Sequence, residues 1–112
     1  MSAAPLRVTV EIRALDVGER LDRVWRLSRD VSEDGVRLLR DLPWEAERPV
    51  AVSFRLPGAD APLAASGRIV AVPPEREEVE GERARPRAIR FTTLAADARQ
   101  RLAGYLEERK RT

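Results

Sequence analysis

Leu6, Val8, Val10 and Ile12 alternate with Arg7, Thr9, Glu11 and Arg13. A period of two over eight residues predicts a strand with one apolar and one solvated face. Asp16-Val17-Gly18 interrupts it. A second alternating run, Arg23 to Val31, is expected to turn Trp25, Leu27 and Val31 inward and Arg26, Ser28 and Asp30 outward. Gly35 punctuates that run, and Val36 to Arg40 resumes as a short strand. Asp41 to Pro49 holds two prolines and Trp44 among polar residues and reads as a loop. Val50, Val52, Phe54 and Leu56 alternate next, and Pro57-Gly58 closes that strand. Leu63 to Val72 follows after the short 59–62 connection, so these two strands are expected to form a hairpin.

Pro73 to Pro86 is a charged tract, acidic in its first half (Glu75, Glu77, Glu78, Glu80, Glu82) and carrying Arg83 and Arg85 in its second. It reads as a long hairpin tip, a solvated loop in its simplest form. Arg87 to Thr92 forms the last predicted strand, with Ile89 and Phe91 on one face. The period then changes. Leu94, Ala98, Leu102, Tyr105 and Leu106 recur at three- and four-residue spacings, which predicts an amphipathic helix over 95–109 with Thr93 as its N-cap. Arg109, Lys110 and Arg111 suit its C-terminal dipole. The chain thus reads as mainly β: a small antiparallel barrel of about six strands (6–92) closed by a C-terminal helix, forming a single domain over residues 1–112.

Composition narrows the chemistry. A 112-residue chain with 43% hydrophobic and 36% charged side chains fits one soluble globular domain with a modest core. No cysteine and no histidine are present, which removes disulfides, thiolate zinc sites, cysteine nucleophiles and the commonest general base. The pI near 9.9 suggests a polycation. Yet 21 basic residues, of which only Lys110 is a lysine, face 19 acidic ones, for a net charge of +2. The surface is balanced and dominated by arginine. Met1 to Pro5 lacks a basic stretch leading into an apolar run, and no stretch of about 18 apolar residues exists, so a cytoplasmic location without membrane insertion is expected.

Asp30-Val31-Ser32-Glu33-Asp34-Gly35 is the one segment that looks like a site. Asp30 and Ser32, two apart in extended chain, share a face and present a carboxylate acceptor beside a hydroxyl. Gly35 follows where the chain turns and allows a positive φ. The same residues also suit a plain turn stabilised by the serine or aspartate side chain.

D-x-S-x-x-G after a strand resembles the second signature of the PilZ family, bacterial receptor domains for cyclic di-GMP. Val36-Arg37-Leu38 follows the glycine as a strand, and Phe54-Arg55-Leu56-Pro57-Gly58 resembles the family's strand ending in Leu-Pro-Gly. Gly67 to Val72 is similar to the next strand, and Ile89-Arg90-Phe91 to the last. The resemblance runs from about Leu6 to Glu108. It implies a six-stranded PilZ-like barrel with a C-terminal helix and a nucleotide ligand rather than a cofactor. Asp30 and Ser32 would contact the nucleotide, and Gly35 would hold the turn.

The family's first signature, R-x-x-x-R, precedes the first strand, and its arginines grip phosphate and guanine. Arg7 occupies the second arginine's place. The first falls on Ala3, which has no guanidinium. One charge-assisted arginine contact contributes roughly 1.5–3 kcal/mol, so its loss weakens binding roughly 10- to 150-fold. Arg13, Arg20, Arg23 and Arg26 lie between Arg7 and Asp30 as substitutes, while Arg83 and Arg87, the one R-x-x-x-R spacing present, sit near the other end. Arg7 also suits a solvated strand edge.

Two functions follow as expectations. One is a cyclic di-GMP receptor that relays binding to an unidentified regulatory protein partner, in motility, surface attachment or polysaccharide output. The other is an adaptor that keeps the barrel without the nucleotide, with Trp44 and the charged tract as contact surfaces; Trp44 can equally pack beneath its own loop. Catalysis is not expected. Ser32 has no histidine to activate it, and Glu77-Glu78 lies in a tract too polar to raise a pKa by burial. No metal site is expected either. Nor is a nucleic-acid partner, because stacking platforms need aromatics and only Trp25, Trp44, Phe54, Phe91 and Tyr105 are present.

Overall fold

The computed structural model describes residues 4–15, 22–73 and 84–110. Seven strands and one helix follow in order: β1 Ala4–Pro5, β2 Thr9–Ala14, β3 Arg23–Ser32, β4 Gly35–Leu38, β5 Pro49–Phe54, β6 Leu63–Val72, β7 Arg85–Leu94 and α1 Ala96–Lys110. Every pairing is antiparallel. The ladder runs β3-β2-β5-β6-β7-β4, and a further β3–β4 pairing closes it into a six-stranded barrel, with β1 added beside β3. Closure satisfies the backbone groups that an open sheet leaves at its edges.

The inward faces follow from the alternation. Val10 and Ile12 of β2, Val50, Val52 and Phe54 of β5, and Leu63, Ala65 and Ile69 of β6 fill the barrel. Phe54 stacks on Phe91 with ring centroids 6.4 Å apart. Ala98, Leu102 and Leu106 of α1 join the same core, with Tyr105 against its edge, as the three- and four-residue spacing predicts. The helix start differs from expectation. β7 continues to Leu94, and Thr93 pairs with Ser66 in the ladder. Its backbone is committed to the strand, so Thr93 does not cap the helix, which begins at Ala96. β7 also starts earlier than expected, at Arg85; the rest of the charged tract, 74–83, lies outside the described residues.

β3 departs most from its expected pattern. Trp25 and Leu27 point outward, 54% and 50% exposed, whereas Ser28 is wholly buried and Val31 is inward. One extra residue explains the reversal. Ser28 pairs with Leu38 and Asp30 with Arg37, so Arg29 is a bulge that shifts the phase of the strand. Arg26 consequently falls on the half-buried face, where its Nε donates to the Asp41 carbonyl oxygen at 3.0 Å.

Residues 39–48 cross one end of the barrel. Leu42 and Trp44 are buried, Trp44 to 6% exposure, so Trp44 packs beneath its loop and presents no contact surface. Asp41 ties this loop to β7. Its carboxylate accepts from Arg85 Nη1 at 2.9 Å and from Arg87 Nε, and Leu42 N–H donates to the Pro86 carbonyl at 2.8 Å. The hydrogen bond from Arg87 is the largest influence on the Asp41 carboxyl; burial opposes it, and the weaker bond from Arg85 with the charges of both arginines keeps the carboxyl below its ordinary value. A depressed folded-state pKa stabilises above the unfolded value, about 3.9, and that contribution disappears as pH falls through the folded value. Because the groups are partly solvated, Asp41→Asn is expected to cost only about 0.5–1 kcal/mol at pH 7. In thermal melts the difference between wild type and Asp41→Asn should shrink as pH falls below the ordinary carboxylate range and vanish once Asp41 is protonated in the folded state. A difference independent of pH would assign the effect to packing instead.

Candidate functional site

The D-x-S-x-x-G segment spans the end of β3, a two-residue turn and the start of β4. Val31 pairs with Val36, and both face the core. The alternate positions, Asp30, Ser32, Gly35 and Arg37, therefore lie on the outer face. Asp30 and Ser32 share that face as the sequence predicts, because the bulge at Arg29 has reset the phase before them.

Asp30 is nonetheless only 9% exposed, flanked by Pro5 of β1 and Arg37 of β4. Arg37 Nε lies 2.9 Å from both carboxylate oxygens, and its Nη2 donates to Oδ2. This bond raises the Arg37 pKa above its ordinary value, more than burial lowers it. Arg37 thus fixes the carboxylate's orientation while leaving it further lone pairs for a second donor. Ser32 Oγ accepts from Asp34 N–H at 3.2 Å, a serine turn of the kind its spacing allows, and its own O–H stays available to donate. Gly35 does not have the positive φ expected of it; among the described glycines only Gly58 does. Its need is for space. A Cβ at Gly35 would collide with the Ile89 carbonyl oxygen and lie 3.1 Å from Arg90 Cα. Glycine here lets β7 approach β4 closely.

Arg7 lies in the irregular step between β1 and β2. Three residues, Leu6 to Val8, span what Ser28 and Arg29 span on β3. The buried Ser28 hydroxyl bridges this step, donating to the Leu6 carbonyl and accepting from Val8 N–H at 3.0 Å. Backbone bonds from Leu6 N–H to Arg29 O (3.2 Å) and Ser28 N–H to Val8 O (2.9 Å) complete the junction. Arg7 is exposed and, among the described residues, has no hydrogen-bond or ion-pair partner. The β1–β3 pairing thus brings its segment alongside Asp30, with Pro5 directly opposite.

The substitute arginines fare differently. Arg13 and Arg23 pair with each other at the far end of β2–β3, roughly 20 Å from Asp30 at the rise of a strand. Arg26 is held by the Asp41 loop. Ala3, Arg20 and Arg83 lie outside the described residues. Sequence reasoning missed Arg37 and Ser28 as supports, although Arg37 sits in the strand following the glycine. A shallow furrow of about 440 Å³ crosses the outer face between Glu11, Arg13, Ser53 and Ser66, away from Asp30, and includes none of the site residues.

Among the described residues no three carboxylate, histidine or cysteine groups gather to hold a metal, and no helix is long and apolar enough to cross a membrane. Two solved structures are similar in fold. Bacillus subtilis inhibitor of motility (MotI/DgrA) matches with a TM-score of 0.71 at 15% identity, over 96% of this chain and 49% of its own. The chain thus spans about half the length of that protein. The PilZ domain of CeSA from a cellulose synthesizing bacterium matches at 0.63 and 20% identity, over 96% of this chain and 99% of its own. No curated protein sequence matches. The PilZ domain family matches residues 4–108, nearly the whole length. With its closed six-stranded barrel and terminal helix, the chain belongs to the PilZ family, the receptor and adaptor domains of cyclic di-GMP signalling.

Proposed function

We propose that this chain binds cyclic di-GMP on the outer face of β3 and β4 and relays that binding to a protein partner. The observation that carries the reading is the orientation of Asp30. Its carboxylate is held bidentately by Arg37 on the same face as Ser32, beside the segment that bears Arg7. A guanine edge offers a ring N–H and an exocyclic amine to such an acceptor. Ser32 donates from its free O–H, Gly35 keeps the backbone bare, and Arg7 reaches a phosphate or guanine from the junction of β1 and β2. Because β1 is only two residues long, the N-terminal segment can change its order when Arg7 is engaged, and that change is the signal a partner reads. The motility inhibitor and the cellulose-associated domain among similar folds make motility or polysaccharide output reasonable processes for such a relay.

Calorimetric titration with cyclic di-GMP tests this. Wild type is expected to bind, and Asp30→Ala to lose roughly 10- to 150-fold in affinity, the worth of one charge-assisted contact. Absence of wild-type binding at several hundred micromolar would leave the adaptor reading. One feature favours that second reading: Trp25 and Leu27 stand exposed two residues apart on the outer face of β3. Exposed apolar neighbours of this kind suit a protein contact.

A further inference from the structure

We infer that Arg90 is a ligand-binding residue, supplying to the phosphodiester of cyclic di-GMP the cationic contact that Ala3 cannot make. The inference rests on the binding reading above and adds a residue to it.

Four strands contribute one rung of outer-face positions. Ser32 pairs with Gly35, Gly35 with Arg90, and Arg90 with Arg68. Ser32 and Arg90 are thus two strands apart, about 9–10 Å between backbones. Only the bare backbone of Gly35 lies between them. The same missing side chain draws β7 in, since Arg90 Cα is 3.1 Å from where a Gly35 Cβ would stand. The result is a notch floored by glycine and walled by a hydroxyl, a guanidinium and, one rung along, the Asp30–Arg37 pair.

The charges in this notch are not balanced. Asp30 is taken by Arg37. Arg68 faces Arg90 directly, and its Nη1 donates to the Glu47 carbonyl at 2.9 Å. Arg90 is exposed and has no hydrogen-bond or ion-pair partner among the described residues. Like charges directly opposite on a sheet repel, and nothing in the ladder offsets that repulsion here. Glu33 and Asp34, at the exposed turn beyond Ser32, do not pair with Arg90. An anionic phosphodiester seated over Gly35 relieves the repulsion, while its guanine reaches Asp30 one rung away. Of the substitute arginines that fall among the described residues, Arg13 and Arg23 lie at the far end of the β2–β3 pair and Arg26 is bound to the loop.

The test is titration of cyclic di-GMP into wild type, Arg90→Ala, Arg90→Lys and Arg68→Ala at low and high salt, with a thermal melt of each. Arg90→Ala is expected to weaken binding roughly 10- to 150-fold at a melting temperature no lower than that of wild type. Its affinity should depend less on salt than that of wild type. Arg90→Lys should recover part of the loss, and Arg68→Ala should lose less than Arg90→Ala. Wild-type binding with Arg90→Ala within twofold of it overturns the inference and leaves the binding reading intact. Loss of binding accompanied by a lowered melting temperature in both Arg90 variants overturns it too, making Arg90 structural. No wild-type binding at several hundred micromolar overturns the reading beneath it.

Discussion

Gly35→Ala is expected to be among the most damaging single substitutions in this chain. The added methyl would overlap the Ile89 carbonyl oxygen, a backbone atom held in the β4–β7 ladder that cannot step aside. Overpacking of this kind costs about 3 kcal/mol at the upper end of its usual range. For a domain of this size that lowers the melting temperature by roughly 10–25 °C. β4 has only four residues and bonds to β3 on one side and β7 on the other, so the ladder cannot absorb the strain by slipping. Thermal melts followed by circular dichroism measure the loss directly. Cyclic di-GMP titration below the lowered transition should also show weakened binding, because the rung that joins Ser32 to Arg90 is forced apart. A melting temperature within two or three degrees of wild type would mean that the close approach at Gly35 is not a packing constraint.

Ser28→Ala follows closely in expected effect, by a different cause. Ser28 is wholly buried, and its hydroxyl serves the Leu6 carbonyl and the Val8 N–H at the step between β1 and β2. Alanine leaves both backbone groups without that partner in a buried place, at a cost of about 1–3 kcal/mol. The melting temperature should fall by roughly 5–20 °C. The substitution also frees the segment carrying Arg7, so amides of residues 4–8 should lose hydrogen-exchange protection beyond the global loss. Uniform loss of protection across the barrel would show that the hydroxyl supports the core rather than this junction in particular.

These two residues also mark how far the sequence could be read. Leu6, Val10 and Ile12, or Ala98, Leu102 and Leu106, announce their burial through local periodicity, and the structure places them as that periodicity requires. The match of the barrel and helix to the expected architecture rests on such runs. The bulge at Arg29 has no local signature, because it arises from how β3 meets β4 and β1. The apolar look of Trp25 and Leu27 pointed inward, and one inserted residue turned them out. Ser28 looked like a solvated strand position for the same reason. Thr93 has the right chemistry for a cap, but its pairing with Ser66 settles the matter from another part of the chain. At the candidate site, Asp30 and Ser32 were legible as neighbours on one face, since two residues in extended chain must be. Arg37, in the short strand after Gly35, and Arg90 acquire meaning only when non-local strands are laid side by side.

β4 is where the early and late parts of the chain meet. Through it, residues 35–37 bond to residues 88–90, and Phe91 N–H adds a 2.7 Å bond to the Asp34 carbonyl. The barrel therefore has a seam, and the D-x-S-x-x-G turn lies along it. The motif on its own is half of a surface; the other half arrives only when β7 docks. A molecule that spans Ser32 and Arg90 would act as a clasp across that seam. Its affinity and the closing of the barrel would then be two measures of one equilibrium.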